Sequence, residues 1–489
     1  MSAPITVARV NPPGPKLPLL GALVGPGRDP LAMFTRFARV YGDVTYFRLG
    51  SEHCYFINHP HDIRDVLVTH QRNFTKSRGL ERAKKLLGEG LLTAEGATHL
   101  RHRRLLQPAF HRDRIAGYAQ VMIDYALRTR ERWRDGETID ISKEMMRLTL
   151  SIAGKTLFDT DVESSADEVG VAVTEVLESF WLNLLPGADY LEKLPIPKLR
   201  RAHAARRRLD ALIYQMIAAR RASRVDHGDL LSMLIAAADP PAASAVAPDG
   251  AMADELTAPA APGAPAAPAA PMPPVPPVPP GLSDEEIRDE AMTILLAGHE
   301  TTANALTWTL YLLSQHPDVD ARLCDELERV LAVRTPSPRD YPNLPYTKRV
   351  ITESMRLFPP AWIVGRRAID EHTIGEHHLA PRSMVFMSPY VIQRDARFYE
   401  HPECFNPDRW TPAFEAALPR FAYFPFGGGA RQCIGEQFAW MEGVLVLATI
   451  AQRWRFQLDP AQRIVPQPLI TLRSKYGMKM RVIRSSADR

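Results

Sequence analysis

The sequence predicts a mainly α fold, a large helical domain with a small β-rich lobe. Three observations predict it. Residues 287–313 are helix-compatible and largely apolar, about 30 residues or roughly 45 Å of helix. A helix that long and that apolar crosses the middle of a protein. Ten further stretches carry helical sequence, and the strand-like runs are few, short and clustered.

The long helix has clear ends. Ser283 and Glu286 stand at capping-box spacing with acids filling the first turn, and His316-Pro317 stops the run. Helical sequence also occupies 30–40, 63–69, 98–106, 114–134, 143–157, 165–182, 199–224, 318–331, 348–357 and 435–451. Strand-like runs at 44–49, 54–57, 384–388, 456–458 and 478–482 are expected to form one small mixed sheet. No internal repeat is present.

Composition excludes several classes. The 489 residues are 45% hydrophobic and 24% charged with net charge +4, which excludes collagen-like, coiled-coil and wholly disordered chains. Cys54, Cys324, Cys404 and Cys433 are far apart and never form CxxC or CxxCH, which argues against a disulfide framework, a zinc ribbon and covalently attached haem. A reducing compartment, the cytoplasm, is expected. Residues 1–18 lack the apolar core of a signal peptide, and no run of about 18 apolar residues offers a transmembrane span.

One break in composition stands out. Residues 240–280 hold 14 Pro and 14 Ala, and proline's fixed φ and missing amide donor keep such a run out of any packed element. It reads as a solvated tether or loop insertion rather than a docking motif for proline-reading modules.

The sharpest chemical signal is Phe426-Gly-Gly-Gly429-Ala-Arg431-Gln-Cys433-Ile-Gly435. A cysteine at the end of a glycine-rich loop and just before a helix is offered backbone N–H donors and a favourable helix dipole, which stabilise a thiolate. The glycines let backbone pass close to a flat ligand. Arg431 is placed to meet an anionic group at that ligand's edge. A lone cysteine is ordinarily a small buried hydrophobe; the ten-residue setting weighs against that here.

This loop resembles the haem-binding signature of the cytochrome P-450 superfamily. Glu353-Ser-Met-Arg356 resembles that family's ExxR, and Phe405-Asn-Pro407-Asp-Arg409-Trp410 its PxR segment, with Arg409 completing a charge triad. Ala297-Gly298-His299-Glu300-Thr301-Thr302, in the middle of the long helix, resembles the oxygen-activating motif. A mid-helix hydroxyl that withholds its bond from the backbone, beside a glycine, makes a polar notch in an apolar wall. The resemblance runs from about Pro12 to Val482 and implies one domain over residues 1–489, with 240–280 as a surface insertion before the long helix.

The resemblance further implies haem b (iron-protoporphyrin IX) with Cys433 as the axial iron ligand. Phe426, Gly427, Gly435, Arg431 and Ala297 would line the cofactor, with His99, Arg103 and Arg366 at its propionates; Arg367 competes with Arg366 for that role. His99 stands where many members carry tryptophan. Thr301 and Glu300 would form the proton-delivery pair. The implied function is a soluble bacterial-type monooxygenase inserting one atom of O2 into a C–H bond of a lipophilic small molecule. Alternatives are a peroxide-driven peroxygenase and a non-catalytic haem sensor or scaffold.

Charge bears on partners. Arg101, Arg103, Arg104, Arg112 and Arg114 face only Asp113 in sequence, and the resemblance implies a basic surface docking an acidic electron donor, a ferredoxin or flavodoxin with its reductase. Six cations within 198–208 read as a solvated helix face rather than a nucleic-acid site. A monomer without nucleic-acid partner or membrane span is expected. Phe180 to Pro186 is an apolar stretch suited to helix packing, to a substrate channel or to a membrane surface.

Overall fold

The computed structural model describes residues 11–15, 29–163, 166–184, 196–223, 225–238 and 282–485. The Pro/Ala-rich stretch 240–280 lies outside the described residues, as do the side chains from Phe180 to Pro186.

The longer helices are α1 (Pro30–Tyr41), α2 (Arg78–Leu87), α3 (Gly96–Leu106), α4 (Arg112–Arg132), α5 (Ile141–Phe158), α6 (Ala166–Leu184), α7 (Pro197–Ser223), α8 (Leu230–Ala238), α9 (Asp284–Gln315), α10 (Pro317–Leu331), α11 (Pro345–Leu357) and α12 (Glu436–Ala451). Helix α9 is the organising element. Its capping box forms as the sequence predicts: Glu286 N donates to Ser283 Oγ at 3.1 Å, and Ser283 N donates to Glu286 Oε2 at 2.8 Å. From Ile287 to Leu313 nearly every residue is buried, because α5, α7, α11 and α12 pack around it. Burial on all sides explains why the helix is largely apolar, and its buried charged groups are paired, Arg288 with Asp210 and Asp289 and Glu300 with Arg473.

The strands are β1 (Val44–Leu49), β2 (Glu52–Ile57), β3 (Phe74–Lys76), β4 (Thr138–Asp140), β5 (Val364–Ala368), β6 (His372–Ile374), β7 (His377–Leu379), β8 (Met384–Met387), β9 (Trp454–Leu458), β10 (Pro466–Pro468), β11 (Leu472–Ser474) and β12 (Lys479–Arg484). Five form a mixed sheet in the order β1-β2-β8-β5-β3, with β2 and β8 parallel. The expected single sheet divides: β9 and β12 join β4 in a separate antiparallel sheet. Trp454, Met480 and Val482 bury into the helical core, while the β1–β2 residues share smaller clusters with β8 and α1. Runs of five residues show that strands exist and leave their partners open.

Two placements matter for the site. Strand β3 pairs with β5 so that Lys76 lies opposite Arg366. The segment before β3 carries a π-helical turn, Asp65–Thr69, which packs on the cysteine loop. No described helix is long and apolar enough to cross a membrane.

Candidate active site

Cys433 lies at the end of its loop, two residues before Gly435 caps α12. Its N–H donates to Phe426 O at 3.0 Å, closing the loop, and the Phe426 ring packs on Trp440 with centroids 5.6 Å apart. Gly427 and Gly429 adopt φ of 73° and 70°, a region that favours glycine. At Gly429 a Cβ would also sit 1.9 Å from Leu67 O, so this glycine answers a backbone of the protein and not only a flat ligand.

The sulfur is uncovered by protein although protein surrounds it deeply. Burial pushes the thiol up to about 11, against a backbone hydrogen bond from Gly435 and the nearby Arg103 charge. The loop donor acts in the expected direction, but desolvation outweighs it until a metal ion binds, which deprotonates such a thiol outright.

A second uncovered surface lies on α9. Ala297 is exposed and Gly298 and Thr301 half-exposed, in a helix otherwise buried on both sides of them. A Cβ at Gly298 would meet nothing within 4 Å. Such a bare strip at the centre of a buried helix leaves its small side chains without covering protein neighbours.

Cations gather around Glu95, the residue that caps α3. Lys76 Nζ, buried, donates to the carbonyls of Leu91 at 2.8 Å and Ala94 at 2.6 Å, and burial lowers its pKa to about 7. Arg366 is buried, donates to Gly365 O at 3.0 Å and has no carboxylate partner among the described residues; burial lowers it to about 10. Arg367 points the other way along β5, to Glu81 at 3.4 Å and Glu52 at 3.8 Å, which leaves Arg366 as the inward arginine. His99 is buried and lowered to about 3, first by desolvation and then by Lys76, Arg431 and Arg103, so it is a neutral imidazole. Arg103 Nη1 donates to Gln432 O at 2.7 Å, beside the cysteine.

Arg431 is corrected in part. Its guanidinium pairs with Glu95 and donates to Phe74 O at 2.9 Å, so the anion it meets is a side chain of the chain itself. Glu95 is thus already used, and Lys76, Arg103 and Arg366 remain without an acid in hydrogen-bond contact at their side chains among the described residues. Burying cations without counter-charge is costly unless an anionic ligand supplies it.

The pair Glu300 and Thr301 is not brought together. Thr301 Oγ1 donates to Ala297 O at 2.8 Å, so the hydroxyl expected to withhold its bond gives it to the helix. Glu300 is buried and turns to β11, where it accepts from Arg473 Nε at 2.6 Å and from Thr471 Oγ1. Neighbouring residues leave a helix about 100° apart, and that angle sends the two groups to different walls.

The charge triad forms as expected. Glu353 Oε2 and Oε1 accept from Arg356 Nε and Nη2 at 2.8 and 2.9 Å, and Oε1 accepts from Arg409 Nε at 2.9 Å. Trp410 Nε1 and Asn406 N add bonds of 2.9 and 3.0 Å, and Glu353 and Arg356 are both 0% exposed. Every oxygen is satisfied, the condition for a buried ion pair to be tolerated.

Sequence reasoning missed Lys76, Glu95, Arg473 and Glu442. Glu95 had a signal, since it precedes His99 by four residues and Arg103 by eight, one helical face. Glu442 had another, a lone acid inside the apolar run of α12; it is 0% exposed, and burial raises it to about 8. Lys76 sits on a three-residue strand whose partner lies nearly 300 residues away, and Arg473 on a short hairpin strand whose carboxylate partner, Glu300, lies 173 residues away; no local pattern marks either contact.

The profile of the family described as Cytochrome P450 matches residues 12–247 and 278–479, and the interruption falls within the Pro/Ala-rich stretch. The chain belongs to this family and is a cytochrome P450 monooxygenase. It is 39% identical to cyclooctatin synthase of Streptomyces melanosporofaciens over 458 residues, 93% of this chain and 92% of that protein. It is 34% identical to cyclooctat-9-en-7-ol 5-monooxygenase of the same organism over 91% of this chain and 89% of that protein. It is 33% identical to pentalenene oxygenase of Streptomyces avermitilis over 95% of each.

The family implies haem, and the residues fit it. An uncovered sulfur, a bare strip of small residues on α9, and the buried Lys76 and Arg366 with the half-buried Arg103, none with an acid in hydrogen-bond contact among the described residues, are what a flat, iron-bearing dianion requires.

Proposed function

We propose that Cys433 binds the iron of haem b and that the enzyme inserts one oxygen atom of O2 into a C–H bond of a cyclic terpenoid. The observation that carries the reading is the Cys433 sulfur, uncovered deep inside the protein and flanked by Arg103. Bound through a thiolate, haem supplies reductive activation of dioxygen, chemistry no side chain provides.

The chain's own residues do the rest. The Gly435 N–H and the Arg103 guanidinium favour the anionic sulfur. Arg366, Lys76, Arg103 and the neutral His99 would hold the cofactor's carboxylates. Phe426, Gly427, Gly435 and Ala297 would line the cofactor, and Arg431 fixes the loop to Glu95. Thr301 carries a proton on Oγ1 and redirects it from Ala297 O toward the uncovered side of the strip. Glu300 reaches that hydroxyl only after turning from Arg473, so the Arg473 contact holds the acid in reserve.

Substrate class rests on two supports. The relatives' names specify a cyclic hydrocarbon, pentalenene, and an alcohol, cyclooctat-9-en-7-ol. By the resemblance the lining draws on residues 74–92, Ala297 and residues 361–364, and among these Leu92, Ala297 and Val364 are apolar and incompletely covered. Electrons come from a separate acidic donor, a ferredoxin or flavodoxin, docking at the exposed Arg104 and Arg112. Arg101 no longer belongs to that surface: its Nη1 donates to Glu286 Oε1 at 2.7 Å. The tether 240–280 is read as an accessory insertion within a single domain, in a cytoplasmic monomer.

The test is a titration of haem-loaded protein with cyclic terpenes, fatty acids and polyketides, reading the shift of haem spin state. Saturable shifts with cyclic terpenes are expected; a response confined to fatty acids or polyketides overturns the substrate class.

A further inference from the structure

A second cluster of ligand-type side chains lies in the β-rich lobe, outside the residues assigned to haem. Asp65, His70 and His372 each offer one donor atom, and the three atoms lie within 4.8 Å of one another. Local backbone geometry makes the cluster. In the π-helical turn Asp65–Thr69, His70 N donates to Asp65 O at 2.8 Å across five residues. A regular α-turn would bring Thr69 to that position; the wider turn brings His70, with Nδ1 at 2.6 Å from Asp65 Oδ1. Single π-turns are rare and occur mostly at functional sites.

His372, the first residue of β6, completes the set with Nε2 at 2.7 Å from Asp65 Oδ2. Each oxygen of one carboxylate therefore faces a different imidazole. The two rings lie 5.0 Å apart at 61°, and Phe74 packs edge-on against His372 at 5.0 Å, which fixes that ring's plane. Side-chain exposure is 9% for His372, 18% for Asp65 and 54% for His70. Two ligands are thus preorganised, and the third stands at an open mouth.

We propose that Asp65, His70 and His372 bind one divalent transition-metal ion of the zinc class. Two imidazole nitrogens and one carboxylate suit Zn2+, Ni2+ or Cu2+, whereas Mg2+ and Ca2+ take oxygen-rich sets. Metal at His70 Nδ1 and His372 Nε2 takes each neutral imidazole in the tautomer that carries its single proton on the other ring nitrogen, so no proton needs to leave the site. Ligand bonds of about 2.0–2.2 Å need donor atoms only slightly further apart than these hydrogen bonds hold them, a small rotation of the carboxylate. The exposed side of His70 leaves the fourth position to water.

The ion would brace the seat of the cysteine loop. Leu67, inside the same turn, presents the carbonyl that Gly429 must accommodate, and Gln71, next to His70, accepts from Ala430 N at 2.7 Å. Metal binding to the native form alone raises thermal stability by mass action.

The experiment is calorimetric titration of untagged, chelator-stripped, haem-loaded full-length protein with Zn2+, with Mg2+ in parallel and a thermal melt at each end point. One equivalent of Zn2+ should bind and raise the melting temperature, and Mg2+ should do neither. His70→Ala, at a half-exposed position that leaves the fold intact by circular dichroism, should weaken binding at least about tenfold, and His372→Ala should do the same. The adjacent His377→Ala, outside the cluster, should leave the titration unchanged and so separate this site from the other histidines. Absence of stoichiometric binding, or binding that persists unchanged in His70→Ala, overturns the proposal. If His372→Ala does not fold, His70→Ala decides alone.

Discussion

At position 301 a hydroxyl bonds to its own helix while the neighbouring carboxyl bonds to a distant strand. Thr301 remains the half-exposed hydroxyl of the bare strip, and proton delivery is proposed for it on that placement. Thr301→Ala should retain substrate binding and divert reducing equivalents to hydrogen peroxide, with product per electron pair falling by about tenfold or more. Fully coupled turnover would count against the proton-delivery role. Glu442 yields a prediction on stability. Its folded-state pKa, about 8, lies above the ordinary 4.5, so the native protein keeps a proton that the unfolded chain releases. That contribution is complete below pH 4.5 and is lost as pH rises toward 8. Glu442→Gln removes the loss: relative to the parent, its stability should rise from pH 5 to pH 8 by on the order of 3 kcal/mol. Parallel pH profiles of melting temperature for the two proteins would contradict this.

Elements differ in how legible they are. Helix α9 announced itself by length, capping box and a largely apolar sequence, and it runs within three residues of its expected ends. The cysteine loop was equally plain, because positive-φ glycines around a thiol leave a compositional mark. The cation cluster was only half visible. His99 and Arg103 share one helix, whereas Lys76 meets Arg366 solely because β3 pairs with β5 across nearly 300 residues. Short strands carry too few residues to encode their partners, which also explains why one expected sheet became two. The direction of Glu300 was hidden for a related reason: a motif fixes neighbours in sequence, and the strand that captures its carboxylate lies far along the chain. Helix α11 and the segment after it show what long-range pairing is worth. Glu353→Gln leaves two buried arginines sharing a neutral partner and should cost about 3–5 kcal/mol, read from the urea midpoint with haem content measured alongside. Near-native stability would refute the triad's structural weight.

Over the molecule as a whole, the net charge of +4 hides an uneven distribution. The run 198–208 is a solvated face of α7 as expected, with Arg200, Arg201, Arg207 and Arg208 exposed. Of the first basic run, Arg103 turns inward, Arg101 bonds Glu286 and Arg114 bonds Gly228 O at 2.5 Å, leaving Arg104 and Arg112 outward. Charge reversal of these two should slow reduction by an acidic donor severalfold at low salt, with the difference fading once the Debye length falls to about 3 Å near 1 M salt. A rate equal to the parent's at low salt would remove this docking face. One sulfur, that of Cys433, carries the proposed haem site. The most direct measurement is the absorption spectrum of the reduced, carbon monoxide-treated protein beside that of Cys433→His. The parent should give the red-shifted Soret band of thiolate ligation and the variant should lose it; the same band in both would show that the iron is held elsewhere.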